Sequence, residues 1–219
     1  MTNKPDLIGE AGLQFFGRMS ASISHELKNA LAIINENAGL LGDYIHMMGK
    51  GMSVEPERFK KIAGRIEAQT RRADAIIKNL NQFAHSVDVP AKSVDLNEIL
   101  DLSVALHRRP AAMRQVELDP RPSESAVVVT TNPFLLLSLL GLVLAQSLQA
   151  VPGGGAMTIS VGLAQSEAEI GFGGLEKLSD VPAVQFPGEQ ANVLLTALCA
   201  KAIIESEACR IVVRLPMQP

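Results

Sequence analysis

Apolar side chains recur every three or four residues through most of the first half of the chain, which is the spacing of one helix face. The first apolar stripe consists of Phe16, Met19, Ile23, Leu27, Ala30, Ile34, Ala38, Leu41, Ile45 and Met48. The second consists of Phe59, Ile62, Ile66, Ala73, Ile76, Leu80 and Phe83. Gly49 and Gly51 interrupt the pattern as turn residues. Ser53 and Pro56 suit the cap and first turn of a second helix. The pattern predicts an antiparallel hairpin of two long helices.

A lone hairpin leaves one apolar stripe in contact with water. Pairing with a second copy to make a four-helix bundle removes that exposure, so we expect a homodimer. The hairpin is expected to occupy residues 1–88. A linker over 89–94, which contains Pro90, separates it from a second domain over 95–219.

The second half changes pattern and predicts a mixture of helices and strands. Helices are expected over 95–108, 132–151 and 190–205, and strands over 116–118, 126–130, 157–163, 168–172 and 209–215. This order is typical of an α+β sandwich with helices on one face of a sheet. The fold class is therefore α+β.

Composition and charge exclude several classes of function. The chain is 47% apolar, so a buried core is expected, and its net charge of −3 argues against nucleic-acid binding. Its two cysteines, Cys199 and Cys209, fit a reducing compartment and are too few and too far apart for a metal site. Neither a signal peptide nor a run of about 18 apolar residues is present, which predicts a soluble, cytoplasmic protein without a membrane segment.

One histidine stands out by its position on the first helix. At about 100° per residue, the first apolar stripe lies within about 60° of one direction, and His25 falls about 180° from it. Ser22 and Asn29 lie one turn before and one turn after His25, while Glu26 and Lys28 are near it in sequence. We therefore expect His25 to face solvent among polar side chains.

This arrangement suits phosphoryl chemistry, because a neutral imidazole nitrogen is a nucleophile that must be exposed to meet a bulky donor. Glu26 can hold the other ring nitrogen, as carboxylates do for catalytic histidines. Asn29 can position a water or a phosphoryl group, and Lys28 can offset its charge. The spacing alone favours a histidine that merely lies on a solvated helix face.

The segment from Ser24 to Ile33, which reads Ser-His-Glu-Leu-Lys-Asn-Ala-Leu-Ala-Ile, resembles the H-box of sensor histidine kinases. In that family the helical hairpin is the dimerisation and histidine phosphotransfer domain. The resemblance implies that His25 is the phosphoacceptor. Ala30 stands where many members have Pro, which removes the expectation of a proline kink.

The second half resembles the catalytic domain of the same family in the order of its elements. Val94 to Leu100 is similar to its opening segment, Thr131 to Pro133 to the start of its nucleotide-site helix, and Ile211 to Pro216 to its closing strand. The resemblance thus extends over almost the whole chain.

The resemblance also implies that the nucleotide site is degenerate. The family spacing puts Gln146 in place of the metal-binding Asn, with Ser147 instead of Ala after it, and Mg²⁺ tolerates little departure from octahedral geometry. Glu169 to Gly174 lies near the adenine-binding motif of the family but lacks its Asp. The stretch before Gln190 is short for an ATP lid, and Gly153 to Gly155 is interpreted as a turn.

A kinase-like scaffold that keeps the histidine and loses the ATP site resembles the dimeric histidine phosphotransferases. This likeness implies transfer between His25 and receiver-domain aspartates, with Glu26 and Asn29 assisting and Ser22 and Lys28 in contact with the partner. The implied partners are receiver domains of response regulators, a hybrid kinase, or both. No intrinsic cofactor is expected, since the receiver supplies Mg²⁺.

Two other functions remain open from the sequence. One is a divergent histidine kinase that phosphorylates itself from ATP. The other is a dimeric adaptor that binds receivers without chemistry. A phosphatase is a variant of the first hypothesis, because Asn29 lies where related kinases place a residue for water-assisted dephosphorylation.

Overall fold

A computed structural model describes residues 4–178 and 187–218 of the chain, and these form helices and strands in two compact units. The helices are α1 (Lys4–Gly49), α2 (Pro56–Ala84), α3 (Leu96–Met113), α4 (Pro133–Ala150) and α5 (Glu189–Ala197). The strands are β1 (Lys92–Asp95), β2 (Glu117–Arg121), β3 (Val128–Thr131), β4 (Ala156–Ala164), β5 (Glu167–Gly173), β6 (Lys201–Glu205) and β7 (Arg210–Pro216). One unit comprises Met19–Asn81. The other comprises Met1–Arg18 and Gln82–Pro219, over their described residues.

The first unit is the predicted antiparallel hairpin of α1 and α2. Gly51, at φ +81°, turns the chain between the two helices, and Pro56 opens α2. At the loop end, the rings of Tyr44 and Phe59 meet edge to face with centroids 5.8 Å apart. Further along, Ala30 is completely buried. The helical hairpin expected from the two stripes is therefore confirmed.

Helix α1 is longer than its apolar stripe, and its first turns pack within the second unit. Phe15 is buried there, and its ring centroid lies 5.6 Å from that of Phe83 and 6.1 Å from that of Phe134. Gly141 of α4 makes room for this cluster, because a Cβ at that position would lie 2.5 Å from the Phe15 ring. Phe15 is thus a core residue.

The second unit is built on a five-stranded sheet in the order β2-β4-β5-β7-β6. Strand β2 runs parallel to β4 and the other neighbours are antiparallel. In the centre, Ile170 lies opposite both Val161 and Val213, and all three are buried. Strands β1 and β3 form a separate antiparallel pair. The predicted α+β class is confirmed.

Helix α4 forms the apolar centre of this unit. Leu136, Leu139, Val143 and Leu144 are all at 0% exposure. The helix is capped by Asn132, whose side chain accepts a hydrogen bond from the Leu135 amide at 2.9 Å. By length and composition α4 is apolar enough to cross a membrane, but 67% of it is buried inside the protein. Its composition is that of a core helix.

The predicted helix over 190–205 is wrong in its second half. Helix α5 ends at Ala197, and Lys201–Glu205 forms strand β6, which pairs with β7. Cys199 adopts a left-handed conformation at φ +51°, which ends the helix. Pairing along the edge of the sheet then outweighs helical propensity in this short apolar segment. Strand β1 (Lys92–Asp95) also lies mostly within the segment 89–94 that was expected to be a linker.

Candidate functional site

The structure places His25 on the exposed side of α1, as the stripe predicts. Met19, Ile23 and Ala30 mark the buried side at 8%, 6% and 0% exposure. Within the described part of the chain, the His25 ring has no hydrogen-bond or ion-pair partner. An imidazole without a partner is free to approach a large reactant.

The side chains around His25 differ in their exposure. Lys28 and Asn29 are exposed, whereas Ser22 and Glu26 are half-buried on the flank between the His25 face and the core. Among residues 4–178 and 187–218, Glu26 makes no hydrogen bond to His25. Its orienting role therefore stays a prediction, as do the contacts expected of the other three.

The position expected for the nucleotide-binding metal ligand lies on α4. Ser147 is at 0% exposure, and its hydroxyl has no hydrogen-bond partner in the described residues. Gln146 is half-buried, with its side-chain oxygen turned away from solvent. Ser147 is therefore a core residue and is inaccessible to a bound nucleotide in this conformation.

The glycine run after α4 forms a turn, as expected. Gly154 adopts φ +83°, and its amide donates to the Gln115 carbonyl at 2.9 Å. The amide of Gly155 donates to the Pro152 carbonyl at 3.0 Å. These two amides are committed to backbone hydrogen bonds, so they do not form a phosphate cradle.

The segment near the expected adenine motif is strand β5, where Glu169 is held by two arginines. The Glu169 carboxylate lies 3.3 Å from Nη2 of Arg210 and 3.1 Å from Nε of Arg214. Phe172, in the same strand, is 1% exposed. Part of the expected lid region, residues 179–186, lies outside the described residues.

Two further features of this unit escaped the sequence reasoning. Arg210 also pairs with Glu205, and this hydrogen bond lowers the pKa of the Glu205 carboxyl and raises the pKa of Arg210. The arginines recur at an even spacing along β7, which was an available signal for a common sheet face. The partners are distant in sequence and could not be assigned.

The second feature is His107 on α3, whose side chain is only 4% exposed. Its Nδ1 donates to the Ser103 carbonyl at 2.8 Å in the tautomer that this contact requires. Burial is the main cause that lowers the pKa of His107, and the charge of Arg18 adds to it. The hydrogen bond that His107 donates to the Ser103 carbonyl works in the opposite direction. The apolar surroundings of the histidine in sequence were the signal for its burial.

An apolar pocket of about 410 Å³ lies in the same unit, lined among others by Leu13, Phe16, Val87 and Phe134. Neither Gln146 nor Ser147 lines it. In the described residues, no three His, Cys, Asp or Glu side chains are grouped so that they could hold a metal ion. The described side chains of these types therefore do not form a set of ligands for a metal ion.

Comparison with known proteins gives a family match for the hairpin. Residues 17–86 match the model of the His Kinase A (phospho-acceptor) domain. No curated protein matches the chain.

Solved structures with a similar fold share little sequence with this chain. The catalytic domain of histidine kinase ThkA, free of nucleotide, is 12% identical, with 60% of this chain and 99% of that chain covered and a TM-score of 0.49. A bacterial phosphotransferase is 16% identical, with coverages of 92% and 95% and a TM-score of 0.49. ThkA in complex with response regulator protein TrrA is 14% identical, with coverages of 94% and 63% and a TM-score of 0.47. The hairpin segment 17–86 of this chain is thus similar to the phospho-acceptor domain of histidine kinases, and His25 lies inside the matching segment.

Proposed function

We propose that the chain is a phosphorelay histidine phosphotransferase, in which His25 exchanges phosphoryl groups with receiver-domain aspartates and no ATP is bound. The observation that carries this proposal is the contrast between two positions. His25 lies inside the phospho-acceptor match, is exposed and has no partner among the described residues. At the expected nucleotide site, Gln146 stands in place of the metal-binding Asn, and the Ser147 that follows it is buried in the core.

The transfer step is an in-line displacement at phosphorus. An imidazole nitrogen of His25 forms the N–P bond while the bond from phosphorus to the aspartyl oxygen breaks, and its electron pair leaves with the receiver carboxylate. The other ring nitrogen keeps its proton, and the carboxylate of Glu26 stabilises the resulting cation. Passing the group to a second receiver reverses these events.

Positioning is the main contribution of this chain to the reaction. A rigid helix holds His25 at a fixed direction and distance from the partner, which removes most of the entropic cost of bringing two large molecules together. Asn29 and Lys28, one turn or less from His25, contact the phosphoryl oxygens, and Ser22 contacts the partner. Mg²⁺ held by the receiver neutralises charge on the phosphoryl group.

The working form is proposed to be a cytoplasmic homodimer. One flank of the hairpin exposes large apolar side chains, among them Leu31 at 47%, Ile45 at 60% and Ile77 at 42%. A second copy that packs against this flank completes a four-helix bundle and removes that surface from water. The His25 face lies away from this flank, so a receiver can reach it in the dimer. The proposed partners are receivers of response regulators or of a hybrid kinase.

Transfer from phosphorylated receiver domains tests the function. Each receiver is loaded with acetyl phosphate and mixed with the wild-type chain or with His25→Gln. We expect label on the wild type only. Phosphoramidate, a small donor that needs no docking, serves as the control for a reactive histidine. Equal labelling of wild type and His25→Gln by the receivers would exclude the proposal.

The divergent kinase is distinguished from this function by ATP. A kinase binds ATP, which raises the melting temperature in proportion to the logarithm of ligand excess. We expect no shift with Mg²⁺-ATP and no label on His25 from ATP. Receiver binding that is indifferent to His25 and passes no phosphate would instead support the adaptor.

A further inference from the structure

Helix α2 carries a concentration of positive charge in a chain whose net charge is −3. Its 29 residues include seven Lys and Arg against three Asp and Glu. Two of these cations are already paired on the helix, because Lys60 bonds Glu57 at 2.9 Å and Arg71 bonds Glu67 at 2.8 Å. The remaining cations are distributed unevenly around the helix.

Three of them form one basic stripe, defined as Lys61, Arg65 and Arg72. At about 100° per residue their directions agree within about 40°. All three are exposed, and within the described residues none has an ion pair or a hydrogen bond. The structure therefore holds a row of cations that no described residue neutralises.

The basic stripe lies on the same side of the hairpin as His25. On α2 the stripe lies about 90° around the helix from the buried direction of Ile62 and Ala73, against the sense in which the helix winds from its N-terminus. On α1 the face of Asn29 and His25 is also displaced from the buried direction against the winding of the helix. Because both helices are right-handed and run in opposite directions, two faces displaced in the same sense lie on the same side of the pair. The exposed apolar flank proposed for dimerisation lies on the other side.

The level of the stripe along the hairpin follows from the ring contact at its loop end. With Tyr44 next to Phe59, Arg72 is level with Leu31, about 9 Å along the axis from His25 at 1.5 Å per residue. Arg65 lies about 10 Å further on. A domain of about 100 residues has a radius of gyration of about 13 Å, so one that docks between the levels of His25 and Arg65 reaches His25 and both arginines.

We propose that Arg65 and Arg72 are specificity-determining docking residues, which recognise a receiver domain by carboxylates on the surface beside its phosphorylated aspartate. This proposal rests on the proposed function and names a property of the partner. Solvated cations of this kind steer association and discriminate against partners of the wrong charge more than they tighten the final complex. Receivers that present lysine or arginine at this contact are rejected.

The test compares two double variants that remove the same charge. Arg65→Gln with Arg72→Gln neutralises the stripe, and Arg71→Gln with Lys78→Gln neutralises two cations outside it. The probe is the receiver domain that labels the wild type fastest. At low salt we expect the stripe variant to raise the KM for the phosphorylated receiver roughly tenfold with kcat unchanged, since rim charges act on the association rate. The control double variant stays near the wild type.

Two further measurements separate docking from chemistry and folding. At high salt the difference between wild type and stripe variant should vanish, because screening removes steering between exposed charges. Phosphoramidate should label His25 equally in all three proteins. Equal KM values for the two double variants, or a loss of kcat at unchanged KM, would overturn the docking proposal while leaving the phosphotransferase intact. Failure of every receiver to label the wild type contradicts the proposed function itself.

Discussion

The polar side chains that stand out in the two units differ in their exposure and in their partners. In the hairpin, His25, Arg65 and Arg72 are exposed and have no partner within the described residues. In the sheet unit, Glu169 is held between two arginines and Ser147 is enclosed in the core. Groups that react or recognise must be free before the partner arrives, whereas paired or buried groups serve stability. Under the proposed function, the chemistry therefore belongs to the hairpin, and the sheet unit is a packed body.

The largest effect on stability is expected from truncating the core of the sheet unit. Leu144→Ala removes a side chain at 0% exposure and should lower the free energy of unfolding by about 2–5 kcal/mol. Leu163→Ala, at a position 57% exposed, is the matched control and should cost less than about 1 kcal/mol. Urea denaturation measures both. Equal losses would show that α4 is not the packed centre described above.

A smaller effect, confined to acidic pH, is expected at His107. Because burial lowers the pKa of His107 below its usual 6.5, the unfolded chain binds more protons than the folded one in this range. Stability is therefore complete above about pH 6.5 and is lost as the pH falls below it, at about 1.4 kcal/mol for each unit of pKa difference. Arg18, whose charge reaches His107, reinforces the loss.

Denaturation of the wild type and His107→Gln from pH 5 to pH 8 checks this. The variant should lose part of the acid sensitivity, and His46→Gln, which changes an exposed histidine, should keep all of it. An unchanged pH dependence in His107→Gln would contradict the buried neutral state of this side chain.

The smallest effect concerns the hydroxyl of Ser147, at the expected nucleotide site. Ser147→Ala removes a buried oxygen with no partner in the described residues, so it should leave stability unchanged or raise it by about 1 kcal/mol. Ser138→Ala is the control on the same helix. Its hydroxyl donates to the Phe134 carbonyl at 2.8 Å, so its loss should cost about 0.5–1.5 kcal/mol. A marked destabilisation by Ser147→Ala would indicate that this hydroxyl has a functional partner.

Local patterns predicted more of the hairpin than of the sheet unit. The outward direction of His25 follows from helical periodicity, because neighbours three and four residues apart determine it. The conformation of Lys201–Glu205 does not follow from local patterns, since this segment becomes a strand only by pairing with β7. The ion pairs of Glu169 with Arg210 and Arg214 likewise join residues that are far apart in the chain. Phe15 and His107 likewise both lie beside Gly141, although the three residues are far apart in the chain.

The side of the hairpin on which Arg72 lies could have been derived from the sequence once the antiparallel pairing was assumed. The absence of an ion pair at Arg72 could not have been derived in this way, because acidic residues elsewhere in the chain can fold back onto such a stripe. The structure shows that, among the described residues, none does.

The central claim is tested most directly by offering one preparation two phosphoryl donors side by side. The wild-type chain and His25→Gln are each incubated with labelled Mg²⁺-ATP and, separately, with a labelled phosphorylated receiver domain. The account predicts label on the wild type from the receiver, none from ATP, and none on His25→Gln from either donor. Label on His25 from ATP, or equal label from the receiver on both proteins, would contradict it.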